Sequence, residues 1–384
     1  MTLSVYLDYN ATAPLEEDAF RAMEPYLRDK FGNASSLHGY GRDARRAVEE
    51  AREKVANAVG AHPDEVVFTS SGTESNNTII KGVATMSLRG LVAVSGTEHP
   101  CVLCAARALG RGGVGYMPLA VCENGLIDQD DLNEALKSQN CALVSVMLAN
   151  NETGVLQDIK SIAALARETE TISHTDAAQA AGKIAVNFAD LGVDAMTVSA
   201  HKAGGPKGVA ALVVRRGVDR TPLMDGGGHE NGRRSGTENV AGIVGMGAAF
   251  ELSAKRQAAV AVRLKELRDN MENALRQIGA IIFAADTPRL PNTSLFSFDK
   301  IDGESLVVML DQSGFAVSSG AACSNMKEEP SHVLLAMGVE KNIAQTAVRA
   351  SLGPATKNDD INRFVAVIDE IINRLRNLSA MGGE

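Results

Sequence analysis

The chain reads as an α/β protein built on a mostly parallel sheet with helices on both faces. Three observations predict this. Short apolar runs recur at 65–69, 91–95, 142–148, 171–175, 194–199 and 209–214, with helical stretches between several of them. Strands alternating with helices are the pattern of parallel sheets. The 384 residues exceed the ~250–300 at which a single core usually divides, so two domains are expected. The segment 246–278 is poor in glycine and rich in Ala, Glu, Lys, Arg and Leu, as a long helix bridging two domains should be.

The elements follow in order. Residues 1–15 form an extended arm ending in Ala13-Pro14. The spacing predicts a helix over 42–59, with Ala47, Ala51, Val55 and Val59 on one face and Arg45, Glu49, Arg52 and Glu53 on the other. Gly60 ends it. The turn Ser70-Ser71-Gly72-Thr73-Glu74 follows a strand and opens a helix. The last part begins near a strand at Ile281–Phe283 and ends with the amphipathic helix Ile361–Leu378. No internal repeat interrupts this order.

Bulk properties exclude several classes. With 45% hydrophobic and 22% charged residues, this is an ordinary globular composition. A net charge of −9 argues against nucleic acid or an anionic membrane as partner. No apolar run approaches the ~20 residues of a membrane span. The N-terminus lacks the basic and apolar regions of a signal peptide, so a cytoplasmic protein is expected. Cys101-x-x-Cys104 finds no second pair to complete a metal site. Cys101, Cys104, Cys122 and Cys141 read as buried structural cysteines.

The stretch Ser199-Ala200-His201-Lys202-Ala203-Gly204-Gly205-Pro206-Lys207-Gly208 carries the chemistry. A lysine at the end of a buried strand is desolvated, and its pKa falls. Such an amine suits condensation with an aldehyde, above all pyridoxal phosphate (PLP). On this stretch alone, a surface lysine in a Gly-rich turn would read the same. The other needs of that cofactor have candidates. Gly72 and Thr73 open a helix and could cradle the phosphate, assisted by Ser199, His201 or Thr237. Asp176, after the strand 171–175, could keep the pyridine nitrogen protonated. Gln179 and Asn151 could hydrogen-bond the ring oxygen. His99 could stack on the ring and move protons. Arg349 presents a fork for a substrate carboxylate, with Asn33 assisting. Cys323 sits among small and polar residues, in the composition of an exposed loop, and is a nucleophile candidate.

These motifs, in this order, resemble a known family along essentially the whole chain. Leu7-Asp8-Tyr9-Asn10-Ala11-Thr12, Ser71-Gly72-Thr73-Glu74-Ser75-Asn76-Asn77, Glu98-His99-Pro100, Asn150-Asn151-Glu152-Thr153-Gly154, His174-Thr175-Asp176-Ala177-Ala178-Gln179, Arg234-Ser235-Gly236-Thr237-Glu238-Asn239 and Ser318-Ser319-Gly320-Ala321-Ala322-Cys323 are similar to those of cysteine desulfurases of the NifS/IscS group. The Asn-Asn-Glu-Thr-Gly wording leans toward the nitrogen-fixation (NifS) type. The resemblance implies a fold-type I PLP homodimer of a seven-stranded-type sheet and a smaller α+β domain. It divides the chain into an arm (1–15) belonging to the small domain, a large cofactor-binding domain (16–258) and a small domain (259–384) carrying Cys323. It implies Lys202 as the Schiff-base lysine, Cys323 as the persulfide carrier and Thr237 on the phosphate of the partner subunit's cofactor. L-cysteine would be the substrate and an iron–sulfur scaffold protein the sulfur acceptor, with Cys323 able to ligate a cluster in passing. Ala34, Ala322 and Ala350 depart from the usual pattern. A selenocysteine lyase or an aminotransferase would share most of the set, but an aminotransferase has no need of Cys323. Gly204–Gly208 precedes a strand rather than opening a helix, which excludes a dinucleotide fingerprint.

Overall fold

The recurrent apolar runs assemble into one seven-stranded sheet. The computed structural model describes residues 5–87, 90–138, 140–319 and 330–381. In spatial order the strands are Val66–Thr69, Ala210–Val214, Ala195–Ser199, Ile172–Asp176, Cys141–Ser145, Leu91–Ser95 and Gly115–Leu119. Ala210–Val214 runs antiparallel to both neighbours. The remaining pairings are parallel. The central strands are buried along their whole length, because helices cover both faces. Gly115–Leu119 has no counterpart in the sequence reading. It is an edge strand in which only Leu119 is buried, so no apolar run betrays it.

Helix Gly39–Ala58 buries Ala47, Ala51 and Val55, three residues of the expected face. Val59 is its C-cap and is also buried. Gly60 takes a left-handed φ of 64°, which ends the helix. This helix packs on Val240–Gln277, a helix of 38 residues. A Cβ on Gly247 would approach the Ala51 Cα at 2.9 Å, so small residues let the two backbones meet.

The long helix serves two cores. Ile243, Met246 and Phe250 enter the core of the seven-stranded sheet. Each such side chain stabilises by ~1.5–3 kcal/mol through burial. Leu264, Leu267, Met271 and Leu275 enter a second core with Phe296, Phe298 and Phe364. Residue 258 lies inside this helix, between the two sets. The second core backs a four-stranded antiparallel sheet in the order Ser318–Ser319, Val348–Ser351, Thr293–Phe298 and Ala280–Ile282. The arm joins it through Val5–Tyr6, which pairs in parallel with Phe315–Ala316.

Candidate active site

The site forms at one edge of the large sheet. Val66–Thr69, Leu91–Ser95, Cys141–Ser145, Ile172–Asp176 and Ala195–Ser199 all point the same way, so the residues after their C-terminal ends converge. They line a cavity of about 450 Å³. Gly72, Thr73, His99, Asn151, Asp176, Gln179, Ser199, His201, Lys202 and Arg349 all face it.

At one end of the cavity stands the N-terminus of helix Gly72–Met86. Ser71 caps it by accepting from the Glu74 N–H at 3.1 Å. The first N–H groups of a helix have no partner within it, and they face the cavity here with Ser199 and His201. Glu74, the acid of this first turn, is drawn away by Arg234 at 2.8 Å. Burial, and then Lys202, push the His201 imidazole down to about 4. Beyond these donors lies Asp176, the last residue of its strand, which accepts from Asn76 Nδ2 at 2.7 Å and from the Ala178 N–H at 2.9 Å.

Lys202 ends the one-turn helix Ala200–Lys202 that follows its strand. Its Nζ donates to the Asn10 and Ala11 carbonyls, the latter at 2.9 Å. Gln179 donates to the same Asn10 carbonyl at 2.9 Å and accepts from Lys183 at 2.7 Å. Arg349 comes from the small sheet. Its Nη2 pairs with Asp8 at 2.7 Å and its Nη1 donates to the Asn151 carbonyl at 2.9 Å. Arg349 Nε and Asn151 Oδ1 are buried with no hydrogen-bond partner among the described residues. Buried polar atoms are almost always paired, so these two stand out in the lining of the cavity.

Lys202 also borders a second cavity of about 420 Å³, walled by Leu15, Val260, Leu264, Leu352 and Pro354. Neither Asp176 nor the Gly72 helix end reaches it, so the chemistry belongs to the first cavity.

The donor set of the first cavity fits PLP. N–H groups and hydroxyls at the helix end suit a phosphate, the Asp176 carboxylate suits a ring nitrogen, and the Lys202 amine lines the same cavity.

Two expected residues lie elsewhere, and a third is not described. Thr237 lines a separate recess of about 90 Å³ with Ser70 and Asn239. Asn33 is exposed, and its Oδ1 accepts from the Ser35 N–H at 2.8 Å, so one chain does not bring it to Arg349. Cys323 falls outside the described residues. The cysteine reading needs correction. Cys141 is buried, but Cys104 and Cys122 are exposed, and Cys101 lines the cavity. Their helix and loop are amphipathic, and the apolar neighbours face inward without them. The sequence reading missed Asp8 and Asn10 as cavity residues, and also Asn76 and Lys183. Asn76 follows Gly72 by one helical turn, a spacing that shows in the sequence.

Comparison with known proteins bears on this geometry. The family model described as "Aminotransferase class-V" matches residues 5–364. A cysteine desulfurase IscS of Dictyoglomus turgidum is 46% identical over 99% of this chain and 97% of its own. A cysteine desulfurase of Cereibacter sphaeroides is 43% identical over 99% of this chain and 98% of its own. A solved structure titled as a NifS-like protein superposes with a TM-score of 0.89 at 37% identity, covering 97% of this chain and all of its own. The fold is thus that of a class V aminotransferase, a fold-type I enzyme that uses PLP. Within that class the chain belongs to the cysteine desulfurases, the family of the IscS and NifS-like proteins.

Proposed function

We propose that the enzyme converts L-cysteine to L-alanine and leaves the sulfur on Cys323 as a persulfide. One observation carries this reading. A single cavity unites the Lys202 amine, the Asp176 carboxylate, a helix N-terminus and the Arg349 fork. PLP, when bound, supplies an electron sink for bonds breaking at the substrate's Cα.

The chain's own residues do the rest. Gly72, Thr73, Ser199 and His201 hold the phosphate, Asp176 the ring nitrogen, Gln179 and Asn151 the ring oxygen, and His99 the ring face. Lys202 would hold the cofactor and would move the proton at the substrate's Cα through Nζ. Arg349 orients the substrate carboxylate. The Cys323 thiolate attacks the substrate sulfur. A sulfur–sulfur bond forms as the carbon–sulfur bond breaks, and that bond's electron pair stays with the carbon fragment. The fragment takes a proton and leaves as L-alanine.

Cys323→Ala tests this. The variant should bind cofactor and cysteine with their spectral changes intact, while alanine and persulfide formation stop. Normal turnover would overturn the assignment.

Thr237 lies away from the cavity of its own chain, and Phe31, Leu37 and Tyr40 are 76%, 84% and 61% exposed. Both facts support a homodimer in which Thr237 completes the partner subunit's site; a monomer by sedimentation would refute it. The sulfur acceptor is proposed to be an iron–sulfur scaffold protein in the cytoplasm. The relatives named IscS favour a general donor. The Asn-Asn-Glu-Thr-Gly wording favours the narrower role in nitrogenase maturation. Trapping the acceptor as a mixed disulfide with Cys323 separates the two.

A further inference from the structure

Cys101 faces the cavity yet has no part in the chemistry above. It is the second residue of helix Pro100–Leu109, which His99 caps: the His99 Nδ1 accepts from the Cys101 backbone N–H at 3.2 Å. The same Nδ1 lies 3.0 Å from the Cys101 Sγ. Sγ in turn accepts from Asn76 Nδ2 at 3.1 Å, and that nitrogen also donates to Asp176. Asn76 is fully buried. A continuous chain therefore runs from the Asp176 carboxylate through Asn76 and Cys101 to the imidazole.

The directions along it follow from chemistry. An amide nitrogen only donates and a carboxylate only accepts. A backbone N–H only donates, so Nδ1 is bare when the ring is neutral. The Thr73 hydroxyl also bonds the sulfur and can donate to it as Asn76 does, so the matched arrangement turns the thiol's lone pairs toward Asn76 and Thr73 and its S–H toward His99. The thiol keeps that proton, because burial, and then Asp176, push it up to about 12. The imidazole stays neutral, because burial holds it below its ordinary value. Asp176 pulls it upward, while Lys202 and His332 add to the lowering. Its neighbour Glu98, also fully buried, is raised well above the carboxylate range, first by burial and then by Asp176, so it brings no opposing charge.

We propose that Cys101 is a positioning residue whose thiol, held by Asn76, works with its own backbone N–H to lock His99 in the neutral tautomer protonated on Nε2. His99 then offers the cavity an N–H donor rather than a bare nitrogen. It can steady charge beside the cofactor, but it cannot serve as the resting base, and the proton at Cα falls to Lys202. This consequence rests on the proposed place of His99 against the cofactor ring; the tautomer itself does not.

The test is nitrogen NMR of ring-labelled histidine in the holoenzyme, with His99 assigned through His99→Gln. Wild type should show a bare Nδ1 and a protonated Nε2 at neutral pH. Cys101→Ser keeps a donor and should match wild type. Cys101→Ala loses one donor, so the Nδ1-protonated form should grow. The His99 midpoint should rise by about half a unit to one unit, as expected for one neutral hydrogen bond. The acid limb of kcat/KM should move the same way. A protonated Nδ1 in wild type overturns the proposal, and that result needs no variant to fold. So does Cys101→Ala with tautomer and midpoint unchanged. If the ring behaves as expected while the cofactor's visible band ignores it, the tautomer stands and the placement of His99 against the ring falls.

Discussion

The two walls of the cavity are made in different ways. On the large-sheet side, each functional residue ends or follows a strand, and neighbouring strands place them side by side. Asp176 ends Ile172–Asp176, and Lys202 follows Ala195–Ser199 by one turn. On the small-domain side, Asp8, Asn10 and Arg349 meet only because the arm and the small sheet associate. The Asn10 backbone N–H donates to the Ser351 hydroxyl and its side chain donates to Thr293, partners 341 and 283 residues away. The first wall is local order repeated strand by strand. The second is long-range order, and a change there should alter substrate binding before it alters the cofactor.

Substitutions on each wall should break that contrast or sharpen it. The largest effect belongs to the large-sheet wall. Lys202→Ala should abolish the visible band of the lysine-bound cofactor and lower alanine formation by ~10³-fold or more. A persisting band without substrate would remove Lys202 from its role. Next comes Arg349→Lys, which keeps the charge but loses the fork. We expect kcat/KM for cysteine to fall by roughly 10–10²-fold with the cofactor band unchanged, measured by steady-state kinetics and absorbance. If the band vanished with it, the two walls would not be separable.

Smaller effects probe how the second wall is seated. A Cβ on Gly353 would lie 2.0 Å from the ring of Tyr9, a buried residue of the arm. Gly353→Ala should cost ~1–3 kcal/mol of stability and raise KM for cysteine, because the Tyr9 shift disturbs Asp8 and Asn10. A wild-type melting curve would show that the arm yields without strain.

The smallest effect concerns Glu152, whose carboxylate accepts from the Ser331 hydroxyl. Burial raises Glu152 from 4.5 to about 7, against the lowering by Ser331 and Arg349. The folded chain therefore binds this proton more tightly than the unfolded chain. The resulting stability is complete below about 4.5 and is lost as the pH rises through 7. Glu152→Gln mimics the protonated acid. It should match wild type at pH 5 and melt a few degrees higher at pH 8. Equal melting temperatures at pH 8 would show that Glu152 is ionised at no cost.

Much of the large-sheet wall was legible from the chain. Apolar runs followed by Gly72-Thr73, Asp176 or Lys202 announce strand ends with chemistry attached, and parallel strands share one edge. Asn76 was missed, although it stands one turn beyond Gly72. Lys183 was missed as well, because it acts by bracing Gln179 and the Asn10 side chain rather than by facing substrate. The small sheet was also hard to read. Thr293–Phe298 mixes Thr and Ser with Leu and Phe yet is fully buried, since its polar side chains sit in hydrogen bonds to the arm or in buried positions without a partner among the described residues. Val348–Ser351 carries a buried arginine, which no strand pattern anticipates.

By itself, then, the sequence determined the strand–helix alternation and the long bridging helix, and it named Lys202, Asp176 and Cys323 as the residues expected to carry the chemistry. Those features depend on local periodicity and on residue types whose chemistry has few other uses. The tertiary structure alone decided which partners hold Arg349, that Asn10 ties the arm to both walls, and that Cys101 reaches the imidazole of His99. Those contacts depend on where distant segments pack and on which face of a short helix turns inward, and neither is written in the spacing of neighbours.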